Sequence, residues 1–149
     1  MPKFHFRLAT LLRLHESARD ERRARLAEAF RADELLEQRE GMVADEIAAT
    51  RNAGRKAVTP GTVDLDRIVE AQRYEMALRA QKNLLGQQRK AVGGEIERRR
   101  EAVLAANREV RALEKLRERH KQRYQQDETR RAIRELDEVA LRTTRQGDD

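Results

Sequence analysis

Gly54-Arg55-Lys56-Ala57-Val58-Thr59-Pro60-Gly61-Thr62-Val63-Asp64 is the stretch that decides the fold of this 149-residue chain. It is the only cluster of turn-forming residues between two long helical patterns. Pro60 has no backbone N–H and disfavours a helical conformation at Thr59, so one helix must end before it. Asp64 is a suitable N-cap for a second helix, and Asp66 would lie in its first turn, where a negative charge complements the helix dipole. The stretch therefore predicts two helices, at about residues 3–53 and 64–142, with a connection at 54–63 and a tail at 143–149.

Apolar residues on both sides of the connection follow the heptad spacing of a coiled coil. After it, heptad positions are occupied by Leu78, Leu85, Val92, Ile96, Val103, Ala106, Val110, Leu113, Arg117 and His120. Before it, the pattern slips near Asp33 and runs through Phe4, Leu8, Leu11, His15, Ala18, Arg22, Arg25, Ala29, Leu36, Val43 and Ile47. A short connection makes the two helices fold back on each other. The prediction is a single all-α domain over residues 1–149, an antiparallel two-helix coiled-coil hairpin.

The predicted register leaves the end of the second helix without an internal partner. With the centre of the hairpin near Thr59, Phe4 would meet the chain near Glu114, and the last ~30 residues would overhang. The overhang still carries apolar residues, including Tyr124, Ile133, Leu136 and Val139. An apolar face on an unpaired helix indicates a binding surface for another protein.

The composition disfavours most other classes of protein. Charged residues make up 40% of the chain and aromatic residues 3%, and 21 of the apolar residues are alanine. A globular core needs more large apolar side chains, whereas a coiled coil needs only two apolar positions in seven. No apolar run is long enough to span a membrane, and the charged N-terminal region is unlike a secretory signal. With no cysteine in the sequence, a reducing compartment is natural, and the chain is expected to be cytoplasmic.

The residues that carry chemistry are sparse. The chain has one serine, Ser17, and no glycine-lysine phosphate loop. His5, His15 and His120 lack the close spacing of metal ligands. His15 and His120 lie instead at heptad positions, where polar residues commonly set the register. We therefore expect no enzyme activity and no catalytic, cofactor-binding or metal-binding residue.

Gly93 and Gly94 interrupt the second helical pattern, and each costs a helix about 1 kcal/mol relative to alanine. Three interpretations remain open for the pair. It is a neutral surface feature, a point of tight contact between the helices, or a hinge.

The basic character of the chain leaves two alternative functions. The net charge is +6, but the charges alternate in sign, as in Arg19-Asp20-Glu21-Arg22-Arg23, which is typical of ion pairs along a helix. A nucleic-acid-binding coiled coil would use a basic stripe of Arg98, Arg99, Arg100, Lys115, Arg117, Arg119, Lys121 and Arg123. A structural coiled coil at a membrane surface would use the amphipathic start of the chain.

The two ends of the chain carry a family resemblance. The opening Phe4-His5-Phe6-Arg7-Leu8-Ala9-Thr10-Leu11-Leu12 resembles the Phe-x-Phe-x-Leu-x-x-Leu-Leu start of the flagellar export protein FliJ. The closing Leu136-Asp137-Glu138-Val139-Ala140 resembles the Leu-Asp-Glu-x-Ala motif of that family. The length and the mid-chain break also match, so the resemblance covers nearly the whole chain.

The resemblance implies a function and a set of partners. Members of the family are antiparallel two-helix coiled coils, similar to the central stalk of rotary ATPases, and belong to the flagellar type III export apparatus. They contact the hexameric export ATPase and the cytoplasmic domain of the membrane export gate, and export chaperones are a further candidate partner. This implies a cytoplasmic protein held at the inner face of the inner membrane, at the flagellar base.

The resemblance also implies site residues. The joined ends of the hairpin would contact the ATPase, through Phe4, Phe6, Leu8, Leu11, Leu12, Leu136, Asp137, Glu138, Val139 and Ala140. Weaker local similarity places the gate contact at Tyr74 and Leu78. No cofactor and no specific nucleic acid is implied.

Overall fold

Two long helices make up most of the chain. The computed structural model describes residues 3–56, 58–59 and 61–146. Helix α1 spans Ala9–Lys56 and helix α2 spans Leu65–Gln146, with 48 and 82 residues. Two short strands lie between them, β1 at Val58–Thr59 and β2 at Thr62–Val63. The predicted all-α hairpin of two helices packed against each other is confirmed.

The connection contains two short strands that pair with each other. Strands β1 and β2 pair antiparallel, with Val58 opposite Val63 and Thr59 opposite Thr62. Gly61 has a φ of 114°, a conformation that residues with a Cβ rarely adopt. Pro60, on which the predicted end of the first helix depends, lies outside the described residues.

The N-cap predicted for the second helix is confirmed. The backbone N–H of Arg67 donates to Oδ1 of Asp64 at 3.3 Å, and the N–H of Ile68 donates to the Asp64 carbonyl at 3.3 Å. Asp66 lies in the first turn, as expected. At the other side of the turn, Arg55 and Lys56 end α1, where positive charge complements the helix dipole.

The chain divides into two compact units. Unit 1 comprises Met1–Asp20 with Leu104–Asp149, and unit 2 comprises Glu21–Val103. Each unit contains part of α1 and part of α2, and in each the two helices run antiparallel.

The core of unit 2 follows the predicted heptads of α2. Leu78 and Leu85 pack with Val43 and Ile47 in one buried cluster, against which Leu36 lies. Ile96 is also buried. The heptad prediction for this part of α2 is confirmed, because a spacing of four and three residues keeps these side chains on one helix face.

The predicted slip near Asp33 is wrong. Buried and half-buried positions of α1 in unit 2 follow one unbroken spacing of four and three residues: Arg22, Leu26, Ala29, Asp33, Leu36, Glu40, Val43 and Ile47. The sequence pattern looks broken because three of these positions hold the charged residues Arg22, Asp33 and Glu40, which do not continue a pattern of apolar residues.

The core of unit 1 includes residues from an N-terminal segment that is not helical. Phe6, Leu12 and Val110 form its buried cluster, with Phe4, Ala9, Leu113 and Leu116 packed against it. The segment at 3–6 precedes the helix, which begins at Ala9 rather than near residue 3. Leu8 and Leu11, predicted to face the other helix, are 36% and 40% exposed, and Leu12 occupies the inward position at 3%.

The observed register differs from the predicted one. The ring of Phe4 contacts Tyr124, with centroids 5.8 Å apart, and not the region of Glu114. Two physical causes move the residue opposite Phe4 toward the C-terminus. The first is that the turn is centred between residues 60 and 61 and not at Thr59, as the pairing of Val58 with Val63 shows. The second is that the segment before Ala9 is not helical, and a non-helical residue spans about twice the 1.5 Å rise of a helical one.

The C-terminal segment, defined here as residues 125–146 of α2, follows the last observed aromatic contact with the N-terminal region. It is shorter than the predicted overhang of ~30 residues because Phe4 reaches further along α2 than expected. Every side chain described from 131 to 142 is exposed. Within the described ranges, neither helix contains a stretch apolar and long enough to cross a membrane.

Candidate partner-binding surfaces

The N-terminal site residues divide into an inner and an outer set. Phe6 and Leu12 are 6% and 3% exposed and form the core of unit 1. The ring of Phe6 also meets the His120 ring at a centroid distance of 5.9 Å. Leu8 and Leu11 lie on the outside, since both are exposed. Of the predicted N-terminal contact residues, these two leucines have exposed side chains, whereas Phe6 and Leu12 form the buried cluster and Phe4 packs against it.

The C-terminal site residues all lie on the exposed part of α2. Leu136 is 69% exposed and Val139 is 58% exposed, and Asp137, Glu138 and Ala140 are exposed as well. Twelve residues of helix separate Leu136 from Tyr124, which Phe4 contacts, so the two levels are about 18 Å apart along the axis. The two predicted sets therefore occupy different levels of unit 1.

Two further apolar side chains belong to the C-terminal surface. Ile133 is 53% exposed and Leu141 is 67% exposed. Ile133 and Leu136, three residues apart, lie on the same side of the helix, whereas Leu141 lies about 140° around the axis from Leu136. Arg130, Arg131, Arg134 and Arg142 interleave with them. The segment is an exposed helix with both apolar and charged side chains.

The two residues predicted to contact the export gate lie in unit 2 and differ in exposure. Tyr74 is 48% exposed, and its hydroxyl donates a hydrogen bond to Oε1 of Glu46. That bond to a carboxylate raises the pKa of Tyr74 above its ordinary value, because it favours the protonated phenol. Leu78 is 4% exposed and packs in the core of unit 2. Of these two residues, Tyr74 has the exposed side chain.

Charged residues at inward positions, which the apolar pattern does not reveal, connect the helices of unit 2. Arg89 binds Asp33 through Nε and Nη2 at 3.1 and 3.3 Å and Glu40 through Nη1 at 3.3 Å. The hydrogen bond from Arg89 lowers the pKa of Asp33. Arg51 similarly binds Glu75 across the helices at 2.7 Å. A spacing of four and three residues carried through polar positions would have found Asp33, Glu40, Glu75 and Arg89 but not Arg51, which is exposed.

A family model described as "Flagellar FliJ protein" matches residues 4–148 of the sequence. The chain belongs to the FliJ family. Its residues match over nearly the whole length, which confirms the resemblance read from the two ends. Comparisons with curated proteins and with solved structures found no match.

Membership in the FliJ family makes the chain a component of the flagellar export apparatus. The family is a structural part of that apparatus and not a known enzyme. In the part of the chain that the structure describes, no group of three or more His, Asp or Glu side chains is placed to hold a metal ion. His15 instead binds Glu109 across the helices of unit 1, with Nδ1 and Oε2 3.0 Å apart.

The structure weakens both alternative functions. The membrane-surface interpretation relies on an apolar face that includes Phe6 and Leu12, but these side chains point into the core. The nucleic-acid interpretation relies on a continuous basic stripe. Carboxylates that pair with Arg98 and Arg100 on their own helix, at 2.6 and 2.7 Å, interrupt that stripe with negative charge. The prediction that the interleaved charges form local helix pairs is confirmed there.

Proposed function

We propose that the chain binds the hexameric export ATPase through the exposed surface of unit 1 and thereby promotes export of flagellar substrates. The observation that carries the proposal is the C-terminal segment, an exposed helical end whose apolar side chains coincide with the family motif at Leu136–Ala140. Family membership supports an interaction with export components.

The energetics favour a protein partner for this surface. Leu136 exposes 69% of its surface and Ile133 exposes 53%. Burying such side chains stabilises a complex by about 1.5–3 kcal/mol each when burial is complete. Asp137 and Glu138 lie beside them and add charge that selects a partner by electrostatic complementarity. Leu8 and Leu11 provide a second, smaller apolar area on the same unit.

Contact with the cytoplasmic domain of the export gate belongs to the same proposal. Tyr74 supports it by its exposure, whereas Leu78 contributes by holding α2 in the core. The protein would then act at the cytoplasmic face of the inner membrane, at the flagellar base. Export chaperones are candidate partners of the same assembly.

The test replaces apolar residues of the C-terminal segment. Leu136→Ser with Val139→Ser should weaken binding to the purified ATPase hexamer by tenfold or more, since about 1.4 kcal/mol corresponds to tenfold. Leu8→Ser with Leu11→Ser should have a smaller effect, because these side chains are already half covered. In parallel pull-downs, Tyr74→Ala should reduce retention of the gate's cytoplasmic domain and leave ATPase binding unchanged.

Met76→Ser with Leu84→Ser is the matched control. These two side chains are 70% and 55% exposed on the same helix, but they lie in unit 2. Far-UV circular dichroism should show the same helix content for all variants. Full ATPase affinity in the variant carrying Leu8, Leu11, Leu136 and Val139 changes together would contradict the proposal, as would an equal loss in the control.

A further inference from the structure

Four arginines from both helices meet in one groove of unit 2. The groove has a volume of about 320 Å³ and is lined by Arg22, Arg25, Glu95, Arg98, Arg99 and Ala102. We call it the arginine groove. It lies apart from the sequence motifs of the family, and neither the apolar pattern nor the family resemblance predicts a site there.

Cross-helix hydrogen bonds hold two of the arginines in place. Nη1 of Arg22, on α1, donates to the backbone carbonyl of Ala102, on α2, at 3.2 Å. In the opposite direction, Nη1 of Arg99 donates to the backbone carbonyl of Arg25. Both residues occupy inward heptad positions and are half-buried. Their guanidinium groups are therefore fixed at the floor of the groove by the backbone of the facing helix.

The other two arginines form the rim. Arg25 and Arg98 expose 63% and 72% of their side chains. Each pairs with a carboxylate of its own helix, Arg25 with Glu21 at 2.5 Å and Arg98 with Glu95 at 2.6 Å. Ion pairs at exposed positions are weak, so an incoming carboxylate can replace the carboxylates that now pair with Arg25 and Arg98.

Positive charge exceeds negative charge in the groove. Glu95 is the single acidic residue of the lining, and it serves two arginines, since Arg99 binds its other oxygen at 2.8 Å. These two arginines lower the pKa of Glu95, so the carboxylate stays ionised. Arg22 is bonded to a backbone carbonyl rather than to a carboxylate. A guanidinium has five N–H donors, and the bond from Arg22 uses one of them.

The arrangement suits carboxylate groups. The planar guanidinium fork binds a carboxylate through two parallel hydrogen bonds, and such pairs are stronger and more directional than those of lysine. Nucleic acid would need a row of phosphate contacts, whereas acidic residues at 95, 97 and 101 restrict the positive charge to this one place. The size of the groove matches one or two acidic side chains rather than a nucleic-acid backbone.

We propose that the arginine groove is a second docking site, which binds an acidic segment of a partner protein through carboxylate–guanidinium pairs. Arg22 and Arg99 form its fixed floor, and Arg25 and Arg98 close over the bound carboxylates. The site is independent of the apolar surface of unit 1. It would bind its partner whether or not that surface binds the export ATPase.

Fluorescence anisotropy with a labelled decaglutamate peptide tests the proposal on the full chain. The peptide should bind, and a Gly-Ser peptide of the same length should not. Arg25→Gln with Arg98→Gln should weaken binding by tenfold or more. Because both side chains are exposed and pair within their own helices, helix content by circular dichroism should stay the same. Affinity should fall with added salt, since exposed charges are screened beyond about 10 Å at 0.1 M.

Arg39→Gln with Arg73→Gln is the control, because it removes the same two charges at exposed positions of unit 2 outside the groove. It should leave peptide affinity within twofold of the unaltered protein. An equal loss in both variants would overturn the proposal, because it would show a general charge effect. Absence of peptide binding would also overturn it. So would groove-dependent binding of tripolyphosphate or of an oligodeoxythymidylate in preference to the peptide.

Discussion

Single charged residues at inward positions connect the helices of unit 2. Arg89 has side-chain carboxylates of Asp33, Glu37 and Glu40 around it, all from α1. The hydrogen bonds that Arg89 donates to Asp33 and to Glu40 raise the pKa of Arg89, and the contact with Arg89 lowers the pKa of Asp33. The group of three acids and one arginine is specific to one register. A shift of one heptad would separate its members.

Replacement of Arg89 should therefore destabilise the protein in a pH-dependent way. A carboxyl with a lowered folded pKa stabilises the fold above its unfolded pKa, near 4, and that contribution is lost as the pH falls through the folded value. Arg89→Gln should reduce the melting temperature at pH 7, where three carboxylates then repel one another. The difference from the unaltered protein should shrink toward about pH 3. Thermal unfolding, monitored by circular dichroism, gives the melting temperatures of the two proteins at each pH. An equal difference in melting temperature at pH 7 and at about pH 3 would contradict the ion-pair explanation.

At the scale of the element, α2 continues through Gly93 and Gly94 without interruption. A Cβ built on either glycine meets nothing within 4 Å. This excludes the interpretation that the pair permits a tight contact between the helices, at least for the residues described. Gly61 is different, because its φ of 114° is required by the turn.

The two kinds of glycine should respond oppositely to alanine. Gly93→Ala with Gly94→Ala should stabilise the protein, since each glycine costs a helix about 1 kcal/mol relative to alanine. Gly61→Ala should lower the melting temperature, because alanine is strained at positive φ. Urea unfolding of the unaltered protein and of the two variants gives their free energies of unfolding. Destabilisation by the Gly93 and Gly94 changes would contradict this expectation.

At the scale of the whole molecule, most of the described backbone is helical, and its stability depends on narrow cores. The buried apolar clusters hold only a few residues in each unit. Charged side chains complete the contacts between the helices.

Far-UV circular dichroism of the purified chain should accordingly show helix content far above the 30–35% typical of globular domains. Helices of 48 and 82 residues account for this expectation. The helical signal should be lost on heating, since helices in proteins gain most of their stability from packing against each other. A helix content of half or less would contradict the two-helix fold.

The sequence alone was sufficient for the two helices, the position of the turn, the Asp64 cap, the family, and the heptads of α2 from Leu78 to Leu113. The heptad positions predicted further on, Arg117 and His120, are exposed. The correct predictions depend on local features, namely spacing along one chain, Gly and Pro at the turn, and short motifs at the ends.

Tertiary structure decided which residue of one helix faces which residue of the other. It placed Leu12 rather than Leu11 inside, moved Phe4 to Tyr124, buried Leu78 and brought four arginines into one groove. The physical reason is that a heptad pattern repeats itself every seven residues, so apolar spacing is compatible with several registers. Charged contacts such as Arg89 with Asp33, and the non-helical segment before Ala9, select one of them.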